Sequence, residues 1–320
     1  MQKGSMKGLE LSRQFYLAYG APMLEEQFSA ITSLLAVGLV GSGSECFGYD
    51  DELSQDHDFE PGFCLFLPGE DVISSREAFA LERAYAKLPK EFMGYKRSPL
   101  NPVGGNRHGV LRLSDFLRER LGNGDGCLAP MDWFYLPEQA VAEVTNGCIF
   151  RDDAGIFTTL REVLAYMPED VRLKKLAGNL LLMGQAGQYN YSRCVARGEL
   201  GAAQLAMAEF VKAALHVLFL LNRRYMPYYK WRFRALRELP LLSTLEQPLT
   251  YLLASGNGEA EATQKTAMIE HVCAEIITVL REQHLTAYAG GEMEGHAYAV
   301  NDCIQDASIR NLHVLYAVDN

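Results

Sequence analysis

Val37–Leu67, VGLVGSGSECFGYDDELSQDHDFEPGFCLFL, decides how the rest of the chain is read. An apolar run ends in a Gly/Ser turn, a carboxylate-rich segment follows, and a second apolar run begins soon after Asp56-His57-Asp58. Two familiar phosphate loops are excluded at once. Gly43 and Gly48 have P-loop spacing, but Tyr49-Asp50 stands where the phosphate lysine and hydroxyl belong. A dinucleotide fingerprint beginning at Gly41 and Gly43 would need glycine at Cys46.

What remains is Gly43-Ser44, then Gly48, then Ser54-Gln55-Asp56-His57-Asp58. Backbone N–H groups at a tight Gly-Ser turn can point at phosphate oxygens. On an extended strand Asp56 and Asp58 project from one face, because side chains alternate with period two. Such a carboxylate pair can hold Mg²⁺, which takes only one or two protein carboxylates beside substrate phosphates. The metal would orient a nucleoside triphosphate for in-line displacement. Glu45, Asp50, Asp51, Glu52 and Glu60 crowd the same stretch. That density is self-repelling, at about 1–4 kcal/mol per close pair at surface dielectrics, and favours a bound cation.

The arrangement resembles the nucleotidyltransferase superfamily that includes DNA polymerase beta and the aminoglycoside nucleotidyltransferases. Eleven residues separate Ser44 from Asp56, within the spacing of that superfamily. The fuller string GSGSECFGYDDELSQDHDF is similar to an uncharacterised bacterial family with a nucleotidyltransferase head. The likeness continues through LPKEFMGY, PEQAVAEVTNGCIFRDD, GQYNYSRCVARGE and FLLNRRYMPYYKWRFRAL. It implies Mg²⁺-dependent transfer of a nucleoside monophosphate from NTP to an acceptor, with two metal ions possible. Asp56 and Asp58 would be the catalytic metal ligands, and Gly43, Ser44 and Ser54 would contact the nucleotide. The superfamily adds a third carboxylate on a later strand. The candidate strand here, Val110–Leu113, carries Arg112 instead, and Asp115 and Asp132 are the substitutes in sequence. A catalytically silent nucleotide-binding module is therefore the alternative reading.

Outward from this stretch, Leu9–Phe28 has helical apolar spacing, which Pro22 breaks or restarts. Leu34–Val40 and Phe63–Leu67 read as strands, Ser74–Leu88 as a Ser-capped helix, and Pro89–Gly105 as a surface loop. Ser114 is placed to cap a helix over Asp115–Leu121 that Gly122 ends. Glu138–Thr145 reads as a helix and Cys148–Phe157 as a hairpin turning at Asp153-Ala154-Gly155. Beyond it only helices are expected: Thr159–Tyr166, Glu169–Arg197, Leu200–Leu221, Ala260–Gln283 and His296–Arg310. The fold class is α+β: a nucleotidyltransferase-like head with a small mixed sheet over residues 1–155, then an all-α domain over 156–320.

In that second half Asn222–Arg237, NRRYMPYYKWRFRALR, holds six basic residues and no carboxylate in a chain of net charge −10. Lys230 and Arg232 are candidates for meeting a triphosphate or acidic acceptor, with a ring stacking on a base. Packing of the segment as core is the competing reading, and RNA binding a further one. Gln185, Gln188, Tyr189, Asn190, Tyr191 and Arg193 form a polar set that reads equally as a cleft lining or a satisfied network. Arg107 and His108 could reach phosphates, or sit in a surface loop.

Seven scattered cysteines with no CxxC pair argue against a disulfide framework or structural zinc, and read mostly as buried hydrophobes. The acidic balance disfavours duplex DNA. The N-terminus lacks a signal-peptide core, and no run approaches the roughly 18 apolar residues of a membrane span, so the expectation is cytoplasmic with no membrane partner. The acceptor stays open between a small molecule, a protein hydroxyl and an RNA end.

Overall fold

A computed structural model of the chain describes residues 6–55, 59–97 and 107–318. Asp56, His57 and Asp58 lie outside the described residues. The chain divides into two compact units, Met1–Cys127 with Gln139–Ala165, and Leu128–Glu138 with Tyr166–Asn320.

The first unit is built on a four-stranded mixed sheet. Its strands are β1 (Ala36–Leu39), β2 (Cys64–Leu67), β5 (Gly109–Arg112) and β6 (Cys148–Asp152), in the order β5-β2-β1-β6. β1 runs antiparallel to both β2 and β6, and β2 runs parallel to β5. Both central strands are buried along their whole length, which explains why they read as unbroken apolar runs. Within the segment expected as a surface loop, Glu91–Phe92 (β3) and Tyr95–Lys96 (β4) pair as a small separate hairpin.

Helices cover both faces of this sheet. On one side α1 (Gly8–Phe15), α2 (Ala21–Gln27) and α3 (Ser75–Ala86) bury Phe15, Leu24, Leu81 and Tyr85 against Val37, Leu65 and Leu67. A π-helical turn over Tyr16–Gly20 joins α1 to α2, and Pro22 sits in the first turn of α2. Ser74 caps α3 in a reciprocal box with Glu77. On the other side Phe66 packs edge-on to Phe116 of α4 (Leu113–Leu121) and Phe157 of α7 (Ile156–Val163), at 5.1 and 4.8 Å.

Two expected boundaries shift. α4 begins at Leu113 with Arg112 as its N-cap, so Ser114 lies inside the helix. Among the described residues no return strand follows β6. Gly155 adopts the left-handed conformation (φ +68°) and starts α7, so a turn that reads as a hairpin is a strand-to-helix junction.

The described elements of the second unit are all helical. They comprise α5 (Asp132–Tyr135), α8 (Glu169–Met183), α9 (Ser192–Ala196), α10 (Leu200–Leu221), α11 (Arg232–Leu236), α12 (Glu246–Ala254), α13 (Glu259–Glu282), α14 (Met293–Asp302) and α15 (Ala307–Arg310). The remaining helix, α6 (Glu138–Thr145), starts in the second unit and runs in the first. Contrary to the expectation that no run is long enough to span a membrane, α10 has the length and a mean hydropathy of 1.6 over its most apolar stretch. That stretch is 67% buried inside the protein, as befits a core helix. The long polar helix expected after Glu169 is interrupted by a π-helical segment, Gly184–Tyr191.

Two lysines in this unit are wholly buried, and among the described residues no carboxylate lies within ion-pair distance of either. Lys174 Nζ donates to Asn301 Oδ1 (2.8 Å), Arg310 O (3.1 Å) and Leu312 O (2.6 Å). Lys265 Nζ donates to Ser255 O (2.9 Å), Asn257 Oδ1 (3.2 Å) and Gln204 Oε1 (3.4 Å). Burial lowers both ammonium pKa values, since neutral oxygens only partly replace lost hydration.

Candidate functional site

The loop leaving β1 begins at Gly41, whose φ of +123° disfavours any side chain. Asn146, just past α6, grips this residue twice. Gly41 N–H donates to Asn146 Oδ1 at 2.9 Å, and Asn146 Nδ2 donates to Gly41 O at 2.7 Å. Gly147 follows at φ +60°, with its N–H donating to Cys46 O at 2.8 Å. A Cβ there would stand 2.0 Å from Leu39 O, so only glycine lets the entry to β6 lie against the end of β1. Arg161 donates to the carbonyls of Thr145 and Asn146, serving the C-terminal end of α6 as cations commonly do.

The loop then closes on itself through Cys46 N–H to Gly43 O (3.0 Å) and Tyr49 N–H to Ser44 O (2.9 Å). The backbone N–H groups of Ser42, Gly43, Ser44 and Glu45 donate to no described residue. Successive N–H groups left without an acceptor in a turn are the kind of arrangement that can bind an anion. At Gly43 a Cβ would fall 2.1 Å from Glu45 Oε1, so a side chain there would displace the mobile ends of the Glu45–Arg107 ion pair.

A cavity of about 380 Å³ opens beside the loop, with Ser42, Arg107, Arg112, Glu119 and Arg120 in its lining. Arg120 lies over the Phe116 ring at 4.1 Å and reaches Glu119 at 3.2 Å and Glu143 at 3.6 Å. Burial raises the Glu143 carboxyl pKa above its usual value, with Arg120 opposing. Arg112, on β5 beside Leu67, donates to Pro68 O at 2.7 Å.

The carboxylates crowded into this stretch do not, for the most part, await a cation. Glu45 pairs with Arg107. Asp50 is buried, accepts from Gly8 N–H at 2.8 Å at the start of α1 and meets Lys7 at 3.4 Å. Asp51 accepts from Leu53 N–H, Ser54 N–H and Ser54 Oγ at 3.0–3.1 Å. Glu60 lies 3.2 Å from Nδ1 of buried His108. The self-repulsion argument for a metal is thus answered locally for these four. Among the described residues no group of three or more His, Cys, Asp or Glu stands together as a metal cage.

The sequence candidates are therefore placed as follows. Gly43 and Ser44 lie in the loop that follows β1, while Asp56 and Asp58 lie outside the described residues. Ser54 is engaged with Asp51 at the start of a short 3₁₀ turn, Glu52–Gln55. Arg107 lines the loop and His108 is buried rather than in a solvated loop. Asn146 and Arg120 were not singled out by sequence. The Asn-Gly pair at 146–147 is the one signal that marks a special turn there; nothing marks Arg120. Of the cysteines, Cys46, Cys64 and Cys273 are buried, Cys127 is exposed, and three are half-buried. Burial pushes the Cys64 thiol up to about 12.

In the second unit Asn222–Arg237 divides into an inner and an outer part. Met226, Ala235 and Leu236 are buried. Buried Glu138 fixes the segment by accepting from Met226 N–H at 3.0 Å, facing His216 at 3.8 Å. Burial opposes ionisation of Glu138, but His216, Lys175 and that N–H outweigh it and hold the carboxyl pKa low. Arg223 and Arg172 share Glu169 through bonds of 2.6–3.0 Å, and these bring Glu169 to about 2. Lys230 is exposed, 5.1 Å from the Trp231 ring centre, and Arg232 Nε donates to Pro227 O at 3.3 Å. Of the Gln185–Arg193 polar set, Gln188 and Tyr191 are hydrogen-bonded, whereas Gln185, Tyr189, Asn190 and Arg193 are exposed. Gln188 bonds Glu270, Gly291 O and Met293 N–H, Tyr191 bonds Asn257, and Arg193 lies 3.8 Å over the Tyr189 ring.

Residues 133–232 match a family described as a domain of unknown function (DUF4037). The match covers less than a third of the chain and contains Glu138, His216, Lys230 and Arg232. Comparison with curated proteins and with solved structures finds no match.

Proposed function

We propose that the first unit is a nucleotidyltransferase-type head that binds a nucleoside triphosphate with Mg²⁺ and transfers a nucleoside monophosphate to an acceptor. The observation that carries this is the Gly41–Glu45 loop at the end of β1, with four successive N–H groups that donate to no described residue and Arg107 and Arg120 beside it. Such a loop suits triphosphate oxygens, and Asp56-x-Asp58 follows it in sequence at the spacing noted above. Two aspartates are a hard-oxygen donor set, which suits Mg²⁺. When bound, Mg²⁺ would supply charge neutralisation at the phosphates and a fixed geometry for in-line displacement.

The chain's own part is positioning. Ser42–Glu45 N–H groups hold the non-transferred phosphates, while Arg107 and Arg120 balance their charge. Asn146 fixes the loop's backbone. An acceptor hydroxyl then attacks the α-phosphorus, its proton passes to a base, and pyrophosphate leaves. Incubation with labelled NTPs, Mg²⁺ and candidate acceptors is the test; turnover no greater than that of Asp56→Asn rejects the enzyme reading.

One observation favours a second reading. Arg112 occupies the strand where a third carboxylate is expected and is tied to Pro68 O. A nucleotide-binding head without turnover would fit that residue. NTP binding in calorimetry without pyrophosphate release would select it.

A further inference from the structure

The outer part of Asn222–Arg237 has a composition that neither packing nor ion pairing uses up. Its six basic residues meet no acidic one within the segment. Arg223 and Arg237 are spent on Glu169 and Glu246. Arg224 and Lys230 are exposed, and among the described residues no carboxylate lies within ion-pair distance of either. Tyr228 and Tyr229 are 42% and 65% exposed, their ring centres 4.4 Å apart. Trp231 is half-buried and carries Lys230 at 5.1 Å and Arg234 at 5.8 Å over its ring. Pro227 precedes the pair, Tyr228 is extended at φ −51° and ψ 145°, and Tyr229 opens a short 3₁₀ turn to Trp231.

Adjacent exposed rings interleaved with unneutralised cations are complementary to a ligand that carries both flat faces and a row of negative charges. We propose that this surface binds a single-stranded polynucleotide, with Tyr229 and Tyr228 stacking on bases and Arg224 and Lys230 meeting phosphates. A duplex hides its base faces and does not suit exposed stacking rings. An acidic peptide offers charge without those faces. This inference stands apart from the transfer reading, because it needs neither the Gly-Ser loop nor the aspartates.

Fluorescence anisotropy of the full chain with a labelled single strand about a dozen nucleotides long, as RNA and as DNA, tests it. The expected result is binding that weakens between about 50 and 200 mM salt. Tyr229→Ala should weaken it roughly 5- to 150-fold, the span of one lost base stack. Lys230→Gln should reduce the log–log salt slope by about 0.7, the share of one single-strand phosphate contact. A matching duplex should bind more weakly. Equal binding to duplex or to a base-free polyanion, insensitivity to Tyr229→Ala, or no binding at low salt overturns the proposal. Circular dichroism of the exposed-site variants guards against misfolding. Asp56→Asn should leave this binding intact, so failure of the transfer reading and failure of this one are separable.

Discussion

Asn146→Ala probes how the Gly41–Glu45 loop is held. The side-chain amide makes the bonds of 2.9 and 2.7 Å to Gly41 N–H and O, and Gly41 is buried. Each hydrogen bond contributes about 0.5–1.5 kcal/mol net, so losing both should cost about 1–3 kcal/mol. At roughly 2–4 °C per kcal/mol for a unit of this size, melting should fall by roughly 2–12 °C. Both tryptophans, Trp133 and Trp231, lie in the second unit, so intrinsic fluorescence is a poor reporter. Hydrogen exchange resolved to β1 and the loop is the suitable assay. Asn146→Asp retains the acceptor for Gly41 N–H and loses the donor to Gly41 O. It should lose about half the protection, yet weaken triphosphate binding as much as alanine does, because it sets a carboxylate beside the loop. Unchanged exchange in β1 and the loop of Asn146→Ala would refute the assignment.

Two further predictions concern the second unit. Lys174 has a folded pKa lowered from 10.5, so between those two values the unfolded chain binds more protons and stability rises with pH. The difference in unfolding free energy between wild type and Lys174→Met should therefore shift in favour of wild type as pH climbs toward 10.5, measured by urea titration; a flat difference contradicts the lowered pKa. Glu169, at about 2 in the folded state against 4.5, stabilises above pH 4.5 and loses that contribution as pH falls toward 2. Glu169→Gln should cost about 1 kcal/mol at neutral pH, discounted for its half-exposed carboxylate, and nothing near pH 2. A constant deficit across that range would place the loss elsewhere.

Much of the first unit is legible because its signals are local. Unbroken apolar runs mark β1 and β2, Ser74 with Glu77 marks the start of α3, and Gly122 in left-handed conformation ends α4. Local chemistry misleads where the same residues serve two junctions. Asp153-Ala154-Gly155 suits a hairpin, but Gly155 instead starts α7. The Gly43-Ser44 turn is visible in sequence, whereas its support is not: Asn146 acts across 105 residues and Arg120 from a helix with no motif. The carboxylate cluster is the opposite case. Its density suggests a cation until Arg107, Lys7, Gly8 N–H and His108 are seen to hold Glu45, Asp50 and Glu60. The basic-aromatic segment, read in sequence as either core or surface, proves to be both.

The central claim is that the Gly41–Glu45 loop and the Asp56-x-Asp58 pair together hold a Mg²⁺-bound nucleoside triphosphate. Isothermal titration of NTP into wild type, with Mg²⁺ and then with chelator, beside Asp56→Asn and Asp58→Asn, tests it directly. The account predicts saturable binding that depends on Mg²⁺ and is weakened in both variants. Binding of equal strength with chelator, or undiminished in the variants, or no binding to wild type, would contradict it.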